Sequence, residues 1–189
     1  MRIIAGIARG RTLIAPKGQD TRPTQDYVRE SLFNILQREV PDAQVLDLFA
    51  GSGALALEAL SRGASGATLV DCAMDAITSI RRNVESLHFE AEATILKSDW
   101  QAVLAKLSNE GKRYTLVFLD PPYRMTDTGE QCAKIADFGL LEPGALMVVE
   151  HRRENIPIVD MRFTENDSRR YGDTVIHFYR YAEGSKADE

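Results

Sequence analysis

Cysteine, histidine and tryptophan are scarce in this chain. Its two cysteines, Cys72 and Cys132, cannot make a disulfide framework, and with the scattered His88, His151 and His177 they show no metal-ligand spacing, so no metal is expected. Long apolar runs are missing too. The N-terminal stretch MRIIAGIARGRTLIAP has basic residues spread through it and no secretory core, and no later run has the length needed to span a bilayer. A cytoplasmic protein without a membrane partner is expected. There is no internal repeat, and only the last residues, EGSKADE, read as a frayed tail.

Positive charge is also in deficit. The formal net charge is −5, which by itself argues against a polyanionic partner because long-range repulsion slows encounter. The distribution argues the other way: between Met1 and Thr24, Arg2, Arg9, Arg11, Lys17 and Arg22 face only Asp20, and a smaller basic cluster recurs at Arg152, Arg153, Arg169 and Arg170. Phosphate contacts depend on local cations, so an acidic protein can bind nucleic acid through one face. An ordinary solvated hairpin would carry the same charges.

The 189 residues fit one domain with a real core. Residues 2–5 and 11–15 are β-like runs around Gly6 and Gly10, closed by Pro16 and Gly18, and they predict an N-terminal hairpin. A helix follows, with Thr24 as its expected cap and Val28, Leu32, Ile35 and Leu36 on one face, until Pro41 stops it. From there apolar strands alternate with helices: VLDLFA, ATLVD, a strand near Ala93 to Lys97, YTLVFLD and ALMVVE, with VIHFYRY alternating as an antiparallel strand at the end. This order predicts an α/β fold with a mostly parallel seven-stranded sheet, covered by helices on both faces. The expected divisions are an extension over 1–40, a main domain over 41–182 and a tail over 183–189, all in one compact unit.

In DLFAGSGALALEAL a strand ends at Ala50, the chain turns through Gly51, Ser52 and Gly53, and a helix starts. Such a turn lies at the carboxyl ends of the strands, where doubly wound sheets bind ligands. Asp71 closes the second strand eighteen positions after Gly53, near the spacing at which an acid reaches ribose hydroxyls. Two cofactors fit. With Ala56 in the last place the run satisfies a relaxed dinucleotide fingerprint, so NAD stays open on this motif alone. Asp47 favours S-adenosylmethionine, because a carboxylate beside the turn suits an ammonium and a sulfonium and repels a pyrophosphate; a structural acid satisfied by backbone donors is the alternative. Phe49 and Ala50 belong to the same candidate pocket. Asp99 could accept from an adenine amine with Trp100 packed nearby, or it could simply cap the next helix.

The strand YTLVFL runs into Asp120, Pro121, Pro122 and Tyr123. Two prolines in a row fix a rigid extended corner. If this strand is fourth in the parallel set, the corner lies at the switch point beside the glycine turn. A carboxylate and a proline-fixed carbonyl are two acceptors, and an exocyclic amine held by both its hydrogens needs two. Its lone pair can then be directed at a methyl carbon, with Tyr123 stacking on an extruded base. Hydride transfer has no use for this tetrad.

These residues resemble a known family. MRIIAG…RGR, TRPTQDYVRESLFNIL, DLFAGSGALALEAL and DPPY, in this order from Met1 to about Tyr181, are similar to the RsmD-type 16S rRNA guanine-N2 methyltransferases. The resemblance implies a Rossmann-like class I fold, S-adenosylmethionine as cofactor, and guanine 966 of 16S rRNA, in the small ribosomal subunit or its assembly intermediate, as substrate. It implies cofactor contacts at Gly51, Ser52, Gly53, Asp71 and Asp99, guanine contacts at Asp120, Pro121 and Tyr123, and rRNA or active-site contacts at Arg22 and Arg29, which join Arg2, Arg9 and Arg11. The sequence departs from the family at Ala56, where glycine is usual, at Asp71, where glutamate is common, and at Ala73, where a second acid often follows. A monomer is expected. The motif's chemistry also serves adenine N6 or cytosine N4 in DNA, and the same fold could act as a non-catalytic RNA-binding assembly factor.

Overall fold

The apolar runs become strands whose successive side chains point to opposite faces. A computed structural model describes residues 1–17, 23–122 and 124–183, with 23–25 described in their backbone only. Its elements run α1 (Pro23–Ile35), a 3-10 turn (Leu36–Arg38), β1 (Gln44–Asp47), α2 (Ala54–Ser61), β2 (Gly66–Asp71), α3 (Met74–Leu87), β3 (Ala93–Lys97), α4 (Trp100–Asn109), β4 (Tyr114–Leu119), α5 (Thr128–Asp137), β5 (Leu141–Arg152), β6 (Phe163–Tyr171) and β7 (Thr174–Tyr181). The seven strands form one sheet in the order β3-β2-β1-β4-β5-β7-β6. The first five are parallel; β7 runs antiparallel to both β5 and β6.

Alternation divides the core into two layers. Val45, Leu116, Phe118 and Val148 face α1, α2 and α3, with Phe33, Leu57, Ile77 and Ile80 packed on them. Leu46, Val117, Leu119 and Val149 face α4 and α5, with Leu104, Leu107 and Ile135 on that side. The central parallel strands β1, β4 and β5 are therefore apolar on both faces, as the sequence led one to expect. Order reverses between β1 and β4, which pair through Asp47 and Phe118, so the ends of these two strands form the switch point.

The N-terminal chain departs from a regular hairpin. Among the described residues of this stretch, Arg2 and Thr12 make the one β-bridge. The amides of Ile4 and Ala5 leave the ladder and donate instead to the Glu58 carboxylate on α2, at 2.8 and 3.0 Å. Gly6 (φ +84°) then lies against the end of α2, where a Cβ would come within 1.8 Å of the Ser61 carbonyl oxygen. Ile3, Ala8 and Leu13 share the core layer of α2 and the sheet. Helix α1 begins at Pro23, one residue before the expected cap Thr24, because proline suits the first helical position. Arg22, Tyr123 and residues 184–189 of the expected tail lie outside the described residues. Among the described residues no helix is long and apolar enough to cross a membrane.

Candidate active site at the carboxyl edge of the sheet

The carboxyl ends of the parallel strands carry a row of acids: Asp47 closes β1, Asp71 closes β2, Asp99 follows β3, Asp120 follows β4 and Glu150 lies near the end of β5. In a parallel sheet all these ends face the same way, so the topology gathers residues that lie far apart in the chain.

At the end of β1 the chain passes through Phe49 and Ala50 into the glycine turn. Gly51 and Gly53 both have positive φ, 56° and 79°. A side chain at Gly53 would be strained by the positive φ and would bring its Cβ within 2.9 Å of Cδ2 of Leu69. The turn is held from two sides. Asp71 Oδ2 accepts from the Gly51 amide at 2.9 Å while its Oδ1 accepts from the Ala73 amide at 2.8 Å. Asn83 of α3 donates to the Ser52 carbonyl and the Ile14 carbonyl, both at 2.9 Å, and so ties the turn to the N-terminal chain. Ser52 Oγ donates to the Met1 sulfur at 3.6 Å.

Asp47 lies beneath this turn, 1% exposed, and its Oδ1 has no hydrogen-bond partner among the described residues. Burial, with Asp120 and then Asp71 nearby, pushes its carboxyl up to about 8, although the Ala56 and Phe49 amides pull it down. Asp99 caps α4, its Oδ1 accepting from the Gln101 amide at 2.9 Å, yet the residue stays exposed. The cap and the cofactor role are compatible in one side chain. Trp100 is 6% exposed and packs into the α4 and α5 layer, with Lys134 Nζ 5.5 Å from its ring centre, so its place is core rather than an open wall.

Asp120 is exposed as a residue, and partial loss of solvent around its carboxyl lifts it to about 6. Pro121 is buried beside it and Pro122 is exposed. Sequence reasoning missed Glu150. Leu119 and Val149 are paired in register, which brings Asp120 and Glu150 to neighbouring strand ends. Burial first, and Asp120 second, push Glu150 up to about 8. A narrow notch of about 10 Å³, room for one water, is lined by Pro121, Thr128, Glu150 and His151. Thr128 Oγ1 and His151 Nε2 are buried without a partner among the described residues. The signal for Glu150 was available: it is the fifth acid at the end of a parallel strand, hidden in the apolar run ALMVVE.

The basic residues divide. Arg2, Arg9 and Arg11 are exposed on the N-terminal chain, with Arg11 donating to the Ser86 carbonyl. Arg29, expected as an rRNA or active-site contact, is buried. It is 5% exposed, donating to Asp26 Oδ1 at 3.0 Å and to the Arg2 carbonyl, with Glu58 Oε2 3.8 Å from its Nε. A buried guanidinium needs paired acids, and Glu58, 0% exposed, also holds Arg62 at 2.7 Å.

With this geometry in view, the chain compares closely with known proteins. The model of the family described as conserved hypothetical protein 95 matches residues 1–180. The ribosomal RNA small subunit methyltransferase D of Escherichia coli K12 is 40% identical over 191 aligned residues, covering 100% of this chain and 94% of that protein. The solved structure of the putative methyltransferase yhhF from Escherichia coli superposes with a TM-score of 0.85 at 35% identity, covering 96% of this chain and 98% of that one. A putative SAM-dependent methyltransferase from Streptococcus mutans, 16% identical with a TM-score of 0.71 over 85% of this chain and 49% of its own, shares the fold.

Proposed function

This chain belongs to the family described as conserved hypothetical protein 95, and from that membership we propose that it transfers a methyl group from S-adenosylmethionine to the N2 amine of a guanine in 16S rRNA. Its substrate is the small ribosomal subunit or an assembly intermediate. The observation that carries the reading is the position of Asp120: one strand over from the glycine turn, at the switch point. The names of the relatives support rRNA as substrate.

The residues present fit the cofactor. Gly51, Ser52 and Gly53 let a ligand approach the backbone, and Asp47 Oδ1 is a buried acceptor in want of a cationic donor. Asp71 and Asp99 each keep lone pairs beyond the backbone amides they already hold. When bound, S-adenosylmethionine supplies a methyl carbon activated by its positively charged sulfur. Asp120 and the backbone of the proline corner would accept the hydrogens of the target amine and turn its lone pair outward, and Asp120 would receive the proton shed as the N–C bond forms and the methyl's S–C bond breaks. The expected stacking partner, Tyr123, follows Pro122 in the sequence.

The test is incubation with radiolabelled cofactor and either small subunits or free DNA, followed by nucleoside analysis. The expected product is N2-methylguanosine at a single rRNA nucleotide. Label on DNA alone, on another amine, or on no nucleic acid rejects the proposal.

A further inference from the structure

Away from the acidic edge, a hollow of about 330 Å³ opens between the N-terminal chain and α1. Arg2, Ile4 and Arg9 line one side, and Asp26, Tyr27 and Glu30, one helical turn of α1, line the other. Tyr27 is 66% exposed, a large ring held out toward the hollow rather than packed in the core. The guanidinium groups of Arg2 and Arg9 form no ion pair among the described residues, although Asp26 and Glu30 share the hollow with them.

The walls are rigid because the supports beneath them are buried. Glu58 fixes the Ile4 amide, and Arg29 joins the Arg2 carbonyl on one wall to Asp26 on the other. One end of the lining also begins beside the glycine turn, since Met1 accepts from Ser52 Oγ and Arg2 is the next residue.

A nucleotide uses every part of this lining: guanidinium groups suit its phosphate, an aromatic ring suits the face of its base, and carboxylates accept from base N–H groups. An acidic peptide would meet Asp26 and Glu30 as like charges. A base already stacked in a duplex offers no free face to Tyr27. Resting on the functional reading above, we propose that the hollow binds one unpaired ribonucleotide flanking the methylated one, its base stacked on Tyr27 and its phosphate against Arg2 and Arg9.

Two measurements test this. In methyl transfer to small subunits, Tyr27→Ala is expected to raise KM about tenfold, the size of one lost base stack, with kcat little changed, whereas Tyr27→Phe keeps the ring and stays close to wild type. An unchanged KM in Tyr27→Ala, or a Phe variant as poor as Ala, overturns the proposal. The second measurement needs no catalysis. The native chain has one tryptophan, the buried Trp100, so a Tyr27→Trp variant reports on the hollow by fluorescence. Quenching by a short single-stranded RNA, with little response to a blunt duplex of the same sequence, is expected; equal quenching by both, or none by either, overturns it. If the wild type methylates no nucleic acid, the functional reading fails by itself, and the fluorescence titration still decides whether the hollow takes a nucleotide.

Discussion

Asp120 is the residue on which the chemistry turns, and its raised carboxyl gives a pH signature. Only the ionised form accepts both an amine hydrogen and the released proton, so the single-turnover rate is expected to rise as pH increases through about 6 and then level off. Asp120→Asn removes that limb and lowers the rate by about a hundredfold or more, on the order of losing one oriented electrostatic partner. Cofactor affinity, measured by calorimetry, is expected to stay within a few fold. Glu150 provides the control. Pushed up to about 8, it is still protonated while Asp120 titrates, so Glu150→Gln keeps the limb near 6 and removes any inflection near 8. A limb that vanishes in Glu150→Gln and persists in Asp120→Asn would exchange the two roles.

Helix α2 joins the cofactor turn to the N-terminal chain. One end carries the glycine turn, its middle carries Glu58, and its last turn offers the Ser61 carbonyl to the Ile7 amide at 2.8 Å and the Ser61 hydroxyl to the Ala8 amide at 3.0 Å. Glu58→Ala leaves Arg62 and the Ile4 and Ala5 amides without their carboxylate and removes one of the two acids beside Arg29, and breaking such a buried pair from one side costs about 3–5 kcal/mol. Gly6→Ala forces a Cβ onto backbone atoms at Ser61, which cannot rotate away as a side chain could. Both variants are expected to lower the melting temperature, and hydrogen exchange should show Gly6→Ala losing protection at Ile7 and Ala8 before the sheet is affected. If those amides stay protected, the docking is not the source of order in this segment.

What was legible at this scale followed periodicity. The parallel strands, the glycine turn and the proline corner all announce themselves through local pattern, and the full-length family match bears out the resemblance drawn from them. Long-range pairings were not legible. Glu58 reads as an ordinary helix-surface acid and Arg29 as one more cation, because only tertiary contact buries them. β6, FTENDSRRY, is an edge strand with mostly exposed charged positions, so neither strand period nor apolar content marks it.

For the molecule as a whole, the acids gathered at one edge set how stability depends on pH. Asp47 and Glu150 are held near 8 and Asp120 near 6, each above its unfolded value of about 4. Between those limits the folded chain binds more protons than the unfolded one, so stability is fully present below about pH 4 for these groups and is lost as pH rises through their folded values. Glu39 and Asp160, held down by hydrogen bonds from Arg180 and Arg162, act in the opposite sense, but their loss of stability falls in the acid range. The cofactor-free protein is therefore expected to melt at a lower temperature at about pH 8.5 than at about pH 6, against the habit of acid-labile proteins. Asp47→Asn should flatten that slope and raise the melting temperature at alkaline pH, because a neutral amide no longer has to ionise beneath the glycine turn. The same variant should bind S-adenosylmethionine less tightly, since it removes the buried charge opposite a cation. A melting profile that rises from about pH 6 to about pH 8.5 in wild type would mean that Asp47 is already ionised in the free protein, with its charge met by a partner other than the cofactor.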